Sequence, residues 1–206
     1  MTGWIREKRQ RRGVDQTLVE TFAVDEVGTE ILRSAHVFQS TASSAPGRLG
    51  RRPSTMRRPA GAELLSPVVK QVSEETIARF DSANRALLGS SGSEWRRQSG
   101  NLHTGAELAS GMGLSGAVAP GELGLAYLHE LLDRRFGKDF RQGGRIEINY
   151  RRPIFAGDHV SAQGIASVAS EDGGRQVWQV QLWLENGRGE QVITGNAQVT
   201  MPSPLT

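Results

Sequence analysis

The chain changes its hydrophobic rhythm twice, and each change predicts a different kind of element. Residues 17–38, TLVETFAVDEVGTEILRSAHVF, place Val19, Phe22 and Val24 before a turn near Glu26-Val27-Gly28 and Ile31, Leu32 and Val37 after it. That pattern predicts two strands joined by a turn. Residues 1–14 carry no such period and read as unstructured. Residues 39–61 are rich in Ser, Arg, Pro and Gly. They bury too little apolar surface to offset the entropy of ordering, so they read as a flexible linker.

From Glu63 the pattern tightens. Ser73 is a good N-cap for EETIARFDSANRALL, with Glu74 and Glu75 in the first turn and Ile77, Phe80 and Leu87 at helical spacing. Gly89 is the expected stop. Thr104 and Glu107 have the spacing of a capping box, which predicts a short helix ending at Gly111. Pro120 opens a third helix that runs to Gly137. Its Leu123, Leu125, Ala126, Tyr127, Leu128, Leu131 and Leu132 cover most of the circumference, the mark of a helix enclosed by a fold.

After that helix the period becomes two. RIEINYRR aligns Ile146, Ile148 and Tyr150 on one face. HVSAQGIASVAS follows a turn at Ala156-Gly157-Asp158. RQVWQVQLWLE follows Asp172-Gly173-Gly174 and sets Val180, Leu182 and Leu184 opposite Gln179, Gln181 and Trp183. Asn186-Gly187 turns into the last strand, QVITGNAQVTM. A buried helix followed by a meander predicts an α+β fold: an antiparallel sheet wrapped around a central helix, with an N-terminal extension. The expected division is an extension over 1–61 and a domain over 62–206.

Composition narrows the function. The 206 residues suit one domain with an added arm, and the first 60 hold much of the shortfall behind a hydrophobic share of 37%. No window approaches the ~18 apolar residues of a membrane-spanning helix, so no membrane partner is expected. The basic N-terminus lacks the apolar run of a secretory signal. Cysteine is absent, which excludes disulfides and thiolate chemistry and suits a cytoplasmic setting. The net charge is +3, clustered in Arg6–Arg12 and Arg48–Pro59. Such runs bind phosphate or form a solvated arm; without interleaved aromatics they predict no nucleic-acid partner.

Several motifs fail on context. Gly111 to Gly116 spells GxGxxG, but a helix precedes it and Ala117-Val118-Ala119-Pro120 comes after, where a dinucleotide loop needs a strand before and a helix after. Ser115 lacks the GxSxG of a nucleophile elbow. The four histidines, His36, His103, His129 and His159, have no metal-ligand spacing. His103 stands out by position, on a loop just before a helix start. Imidazole titrates near neutrality and suits general acid–base work. Gly121 begins the third helix, where amides lack intrahelical acceptors and favour a developing oxyanion.

From about Ala62 to Pro202 the chain resembles the MaoC-like hydratase/dehydratase family, which has the hotdog fold. LLSPVVKQVSEETIARF is similar to the family's first strand and helix. NLHTGAELASGMGLSGAVAPGELGLAYLHELL is similar to its histidine loop, short helix, glycine turn and central helix. YRRPIFAGDHV and ITGNAQVTMP are similar to its Gly-Asp turn and closing strand. The resemblance implies a hydro-lyase, an enoyl-thioester hydratase or 3-hydroxyacyl-thioester dehydratase of fatty acid or polyketide metabolism. It implies substrates on coenzyme A or an acyl carrier protein, no other cofactor, no metal, and a homodimer. It makes His103 the base and Gly121 the oxyanion N–H donor, with Asn101, Gly116, Ala119 and Pro120 as substrate-binding positions.

The chain also departs from that family. Five residues before His103, where the family has an aspartate, stands Gln98. Gly100-Asn101 replaces an Asn-Pro pair, and Pro120 replaces a histidine. Glu122 takes an apolar position, either as a substitute acid or base or as a complement to the helix dipole. Asp158 reads as a turn residue, and Arg145, Arg151 and Arg152 as solvated or phosphate-meeting cations. The losses leave three expectations open: a hydratase with an altered site, a hotdog enzyme of other thioester chemistry such as isomerisation or cyclisation, and a non-catalytic partner subunit. Residues 17–38 resemble the last hairpin of a second hotdog unit; alternatively they form an extra hairpin on a sheet edge or partner.

Overall fold

Leu128, Leu131 and Leu132 recur at the spacing that keeps one helical face on a single partner, and in the computed structural model all three are buried against a sheet. The structure describes residues 2–11, 14–41, 59–87, 103, 105–111, 114 and 116–204. Thr104, Ser115 and Gly89 lie outside them, as does most of the expected linker. Two compact units appear, Met1–Arg52 and Pro53–Thr206.

The first unit is a three-stranded antiparallel sheet in the order β1 (Thr2–Arg11), β2 (Val14–Val24), β3 (Glu30–Thr41). The predicted turn falls between β2 and β3, where Asp25 Oδ1 accepts from the Val27 and Thr29 amides. β1 corrects the expectation of an unstructured start. Its sequence TGWIREKRQR shows no apolar alternation; it is held by pairing with β2 from Thr2↔Phe22 to Arg11↔Val14 and by cross-strand polar contacts. Arg6 meets Glu20 at 2.9 Å and Arg9 donates to Gln16 at 3.0 Å. Such pairs are visible only once register is set. β3 also runs two residues past Gln39, into the expected linker.

The second unit contains β4 (Glu63–Leu64), β5 (Val68–Gln71), α1 (Glu74–Leu87), α2 (Ala106–Gly111), α3 (Gly121–Phe136), α4 (Lys138–Gly143), β6 (Arg145–Tyr150), β7 (His159–Asp172), β8 (Arg175–Asn186) and β9 (Gln191–Pro202). The sheet order is β4-β7-β8-β9-β6, with β5 following β4 along the same edge of β7. Ser73 caps α1 as its sequence predicts, accepting from the Thr76 N–H at 3.1 Å. α4 was not evident from the pattern.

α3 packs on β5, β7, β8 and β9. Val180, Leu182 and Leu184 face it from β8, and Ile193, Ala197 and Val199 from β9, all buried. Each fully buried aliphatic side chain contributes about 1.5–3 kcal/mol. The approach is closest at Gly124, where a Cβ would stand 2.5 Å from Ile193 Cδ1. A side chain there would lift the helix off the sheet. The enclosure is less complete than the sequence suggests: Ala126 is exposed and Leu125 half-buried, because the sheet covers one broad face. Trp183 lies on the opposite sheet face with Gln179 and Gln181, as predicted, yet is buried with Ala62 and Ile165. Among the described residues, no helix is long and apolar enough to cross a membrane.

Candidate active site

The loop that feeds α3 is held like a strand. Val118 bridges to Phe155. The Ala119 N–H donates to the Ile154 carbonyl at 2.8 Å and the Ala156 N–H to the Ala117 carbonyl at 3.0 Å. Bonds flanking the pair in this way turn the Val118 carbonyl away from Phe155. That carbonyl accepts from His103, whose Nδ1 lies 2.7 Å away. A carbonyl oxygen has no proton to give, so Nδ1 carries the hydrogen and Nε2 the lone pair of the neutral ring. This tautomer presents a base at Nε2.

The Phe155 side is braced in turn. Asp158 Oδ2 accepts from the Phe155 N–H at 2.9 Å. The Gly157 N–H donates to the Val72 carbonyl at 2.7 Å and the Val72 N–H to the Asp158 carbonyl at 2.8 Å. Asp158 is therefore the turn residue its sequence suggested, and the turn it makes holds the loop on which His103 rests.

Three residues beyond Val118, Gly121 begins α3, with buried Pro120 in the N-cap place. Among the described residues nothing accepts the Gly121 N–H, as befits the first turn of a helix. Gly121 and Ala119 line a cavity of about 330 Å³ with residues 150–154 and Ile193. A Cβ on residue 121 would lie 2.9 Å from Tyr150 Cε1, so the phenol ring occupies the space a side chain would need. Tyr150 is half exposed, and its pKa is pushed up to about 12 by desolvation and by the charge of Glu122. Arg151 Nε donates to Thr194 Oγ1 at 3.1 Å, and Arg152 stands 3.7 Å from Glu190. Both arginines are among the residues lining the cavity.

The structure brings Ala119 and Gly121 into one cavity. His103 is not among the residues lining it; its tie to the site is the Val118 carbonyl. Glu122 is exposed on the first turn, and Gly116 is half-buried just before the Val118 bridge. Gln98 and Asn101 lie outside the described residues. Gly111 ends α2, so a helix does precede the GxGxxG, and Gly116 leads into the bridged loop rather than into a helix. The sequence reading missed Val118 and Tyr150. No side-chain signal marks Val118, which acts through its carbonyl. Tyr150 had one: it ends a period-two run whose Ile146 and Ile148 pack against the core.

No family profile matches the chain, and no curated protein does. Solved structures do. The (R)-hydratase from A. caviae involved in PHA biosynthesis is 18% identical, with a TM-score of 0.54 over 72% of this chain and 98% of that one. A MaoC-like dehydratase from Rhodospirillum rubrum is 20% identical, with a TM-score of 0.51 over 70% of this chain and 94% of that one. The full-length peroxisomal multifunctional enzyme type 2 from Drosophila melanogaster is 14% identical, with a TM-score of 0.65 over 97% of this chain and 33% of that one. That last match takes in the three N-terminal strands as well. The sheet of the second unit with its helix α3 is the hotdog fold, the fold of these (R)-hydratase and MaoC-like structures.

Proposed function

We propose that the protein is a MaoC-like hydro-lyase that adds water to a 2-enoyl thioester, or removes it from a 3-hydroxyacyl thioester. The observation that carries this reading is the hydrogen bond from His103 Nδ1 to the Val118 carbonyl, on the loop that delivers the Gly121 amide. Nε2 takes a proton from water as its oxygen bonds to C3. The C2=C3 electron pair shifts toward the thioester oxygen, where the Gly121 N–H meets the growing charge. The imidazolium then returns its proton to C2, which regenerates the base. One base suffices for addition on a single face, so a glutamine at position 98 is compatible with turnover.

The carrier is coenzyme A or the phosphopantetheine of an acyl carrier protein, and Arg151 and Arg152 supply positive charge for its phosphate. No further cofactor or metal enters the reaction, and a cytoplasmic homodimer is the working assembly. Gln98 favours a second reading, because an amide cannot shuttle the proton that the family aspartate would. In that reading the site isomerises or cyclises a thioester with His103 alone, or serves a catalytic partner.

The test is His103→Ala assayed with enoyl-CoA thioesters of graded chain length. The expected loss in kcat is about 10²–10⁴-fold, the usual worth of a general base. Turnover unchanged by the substitution removes the mechanism. Absence of hydration by the parent protein on every chain length, with His103-dependent isomerisation of the same thioesters, selects the second reading.

A further inference from the structure

We infer that Tyr150 is a second donor to the oxyanion, its hydroxyl hydrogen-bonding the same thioester oxygen that the Gly121 N–H holds. The inference rests on the hydro-lyase reading and adds a residue to it. Tyr150 is the last residue of β6 and pairs with Ile193 of β9. Its side chain therefore emerges where the strand ends, beside the start of α3. The ring lies flush on Gly121: a Cβ there would be 2.9 Å from Cε1, 3.1 Å from Cζ and 3.4 Å from Oη. Both residues line the same cavity. Among the described residues no partner takes the hydroxyl, so the O–H is available to a ligand.

The packing explains why residue 121 lacks a side chain. A methyl group there would displace the phenol ring that packs against Gly121. The hydroxyl also stays a donor. Desolvation and the neighbouring Glu122 charge favour its neutral form well beyond the range of an ordinary phenol. A neutral O–H and a backbone N–H beside one cavity make a two-donor arrangement of the kind that stabilises enolates.

The test separates this inference from the reading beneath it. Butyryl-CoA labelled with ¹³C at the carbonyl binds without being hydrated, and infrared difference spectroscopy reads the polarisation of its C=O. The unsubstituted protein is expected to move the carbonyl band to lower frequency. Tyr150→Phe keeps the ring and removes the donor; it is expected to lose part of that shift and lower kcat by about 10²–10³-fold, with KM little changed. Gly121→Ala keeps the backbone N–H and pushes the ring aside, and is expected to lose the same portion of the shift. A polarised carbonyl that neither substitution alters, with kcat intact in Tyr150→Phe, overturns the role of Tyr150 and leaves the hydro-lyase reading standing. A parent protein that neither polarises the thioester nor hydrates its enoyl counterpart overturns both.

Discussion

Two antiparallel sheets in one chain differ in a single respect that governs the rest. The three strands over 2–41 pair along 10 to 12 residues each, yet no described side chain among them is buried. Ile5 is 55% exposed and Phe38 60%. In the second unit Leu182, Leu184 and Val180 of β8 are at 1% or less. Backbone ladders run the length of the long strands in both, each interrupted by bulges. What the second sheet has is a helix against it, so its apolar face leaves water. Hydrogen bonds exchanged with water contribute little net stability, whereas removing apolar area from water contributes a great deal.

This contrast makes the stability predictions unequal. Leu128→Ala deletes a fully buried side chain of α3 and is expected to cost about 2–5 kcal/mol in chemical denaturation. Phe38→Ala, on the open sheet, is expected to stay within about 0.5 kcal/mol. A large loss from Phe38→Ala would mean that the open sheet is covered in solution, and the contrast would collapse.

A smaller effect sharpens it. The chain has two tyrosines, Tyr127 and Tyr150, both in the second unit and both with raised pKa values. A raised phenol pKa contributes stability that is present below the unfolded value of about 10 and is lost as pH rises through the folded one. Ultraviolet titration should therefore find the native protein mostly un-ionised at about pH 10, where the urea-unfolded chain is about half ionised. Half ionisation of the native protein at that pH would show that neither phenol is shielded.

The smallest effects come from ion pairs. Glu130 on α3 meets Lys70 of β5 at 2.9 Å, and its pKa is lowered chiefly by the hydrogen bond from Lys70. The contribution is present above the ordinary carboxylate range and lost as pH falls through the lowered value. Both side chains are about one-third exposed, so a double-mutant cycle on Lys70 and Glu130 is expected to give about 0–1 kcal/mol at neutral pH. It should give less in acid. The same cycle on Arg6 and Glu20 of the open sheet should be no larger.

Much of the second unit was legible in its sequence because burial imposes a period. Strand alternation in 175–186 and the stripe of α3 both record one apolar face. The cap at Ser73 and the turn at Asp158 were legible because those side chains bond their own local backbone. β1 was not, since a strand stabilised by its neighbour needs no apolar pattern of its own. Leu125 and Ala126 misled for the opposite reason: apolar residues do not create the surface that would cover them.

At the site, local chemistry settled which groups were available. An imidazole on the loop before a helix and a glycine at a helix start are properties of the sequence, and so are the candidate base and oxyanion donor. Tertiary packing decided the rest. Val118 orients His103 through a carbonyl, which no side-chain alphabet records. Tyr150 covers Gly121 across 29 positions of chain because β6 ends beside the start of α3. Periodicity reports which face a residue turns inward; only the assembled sheet and helix determine what waits there.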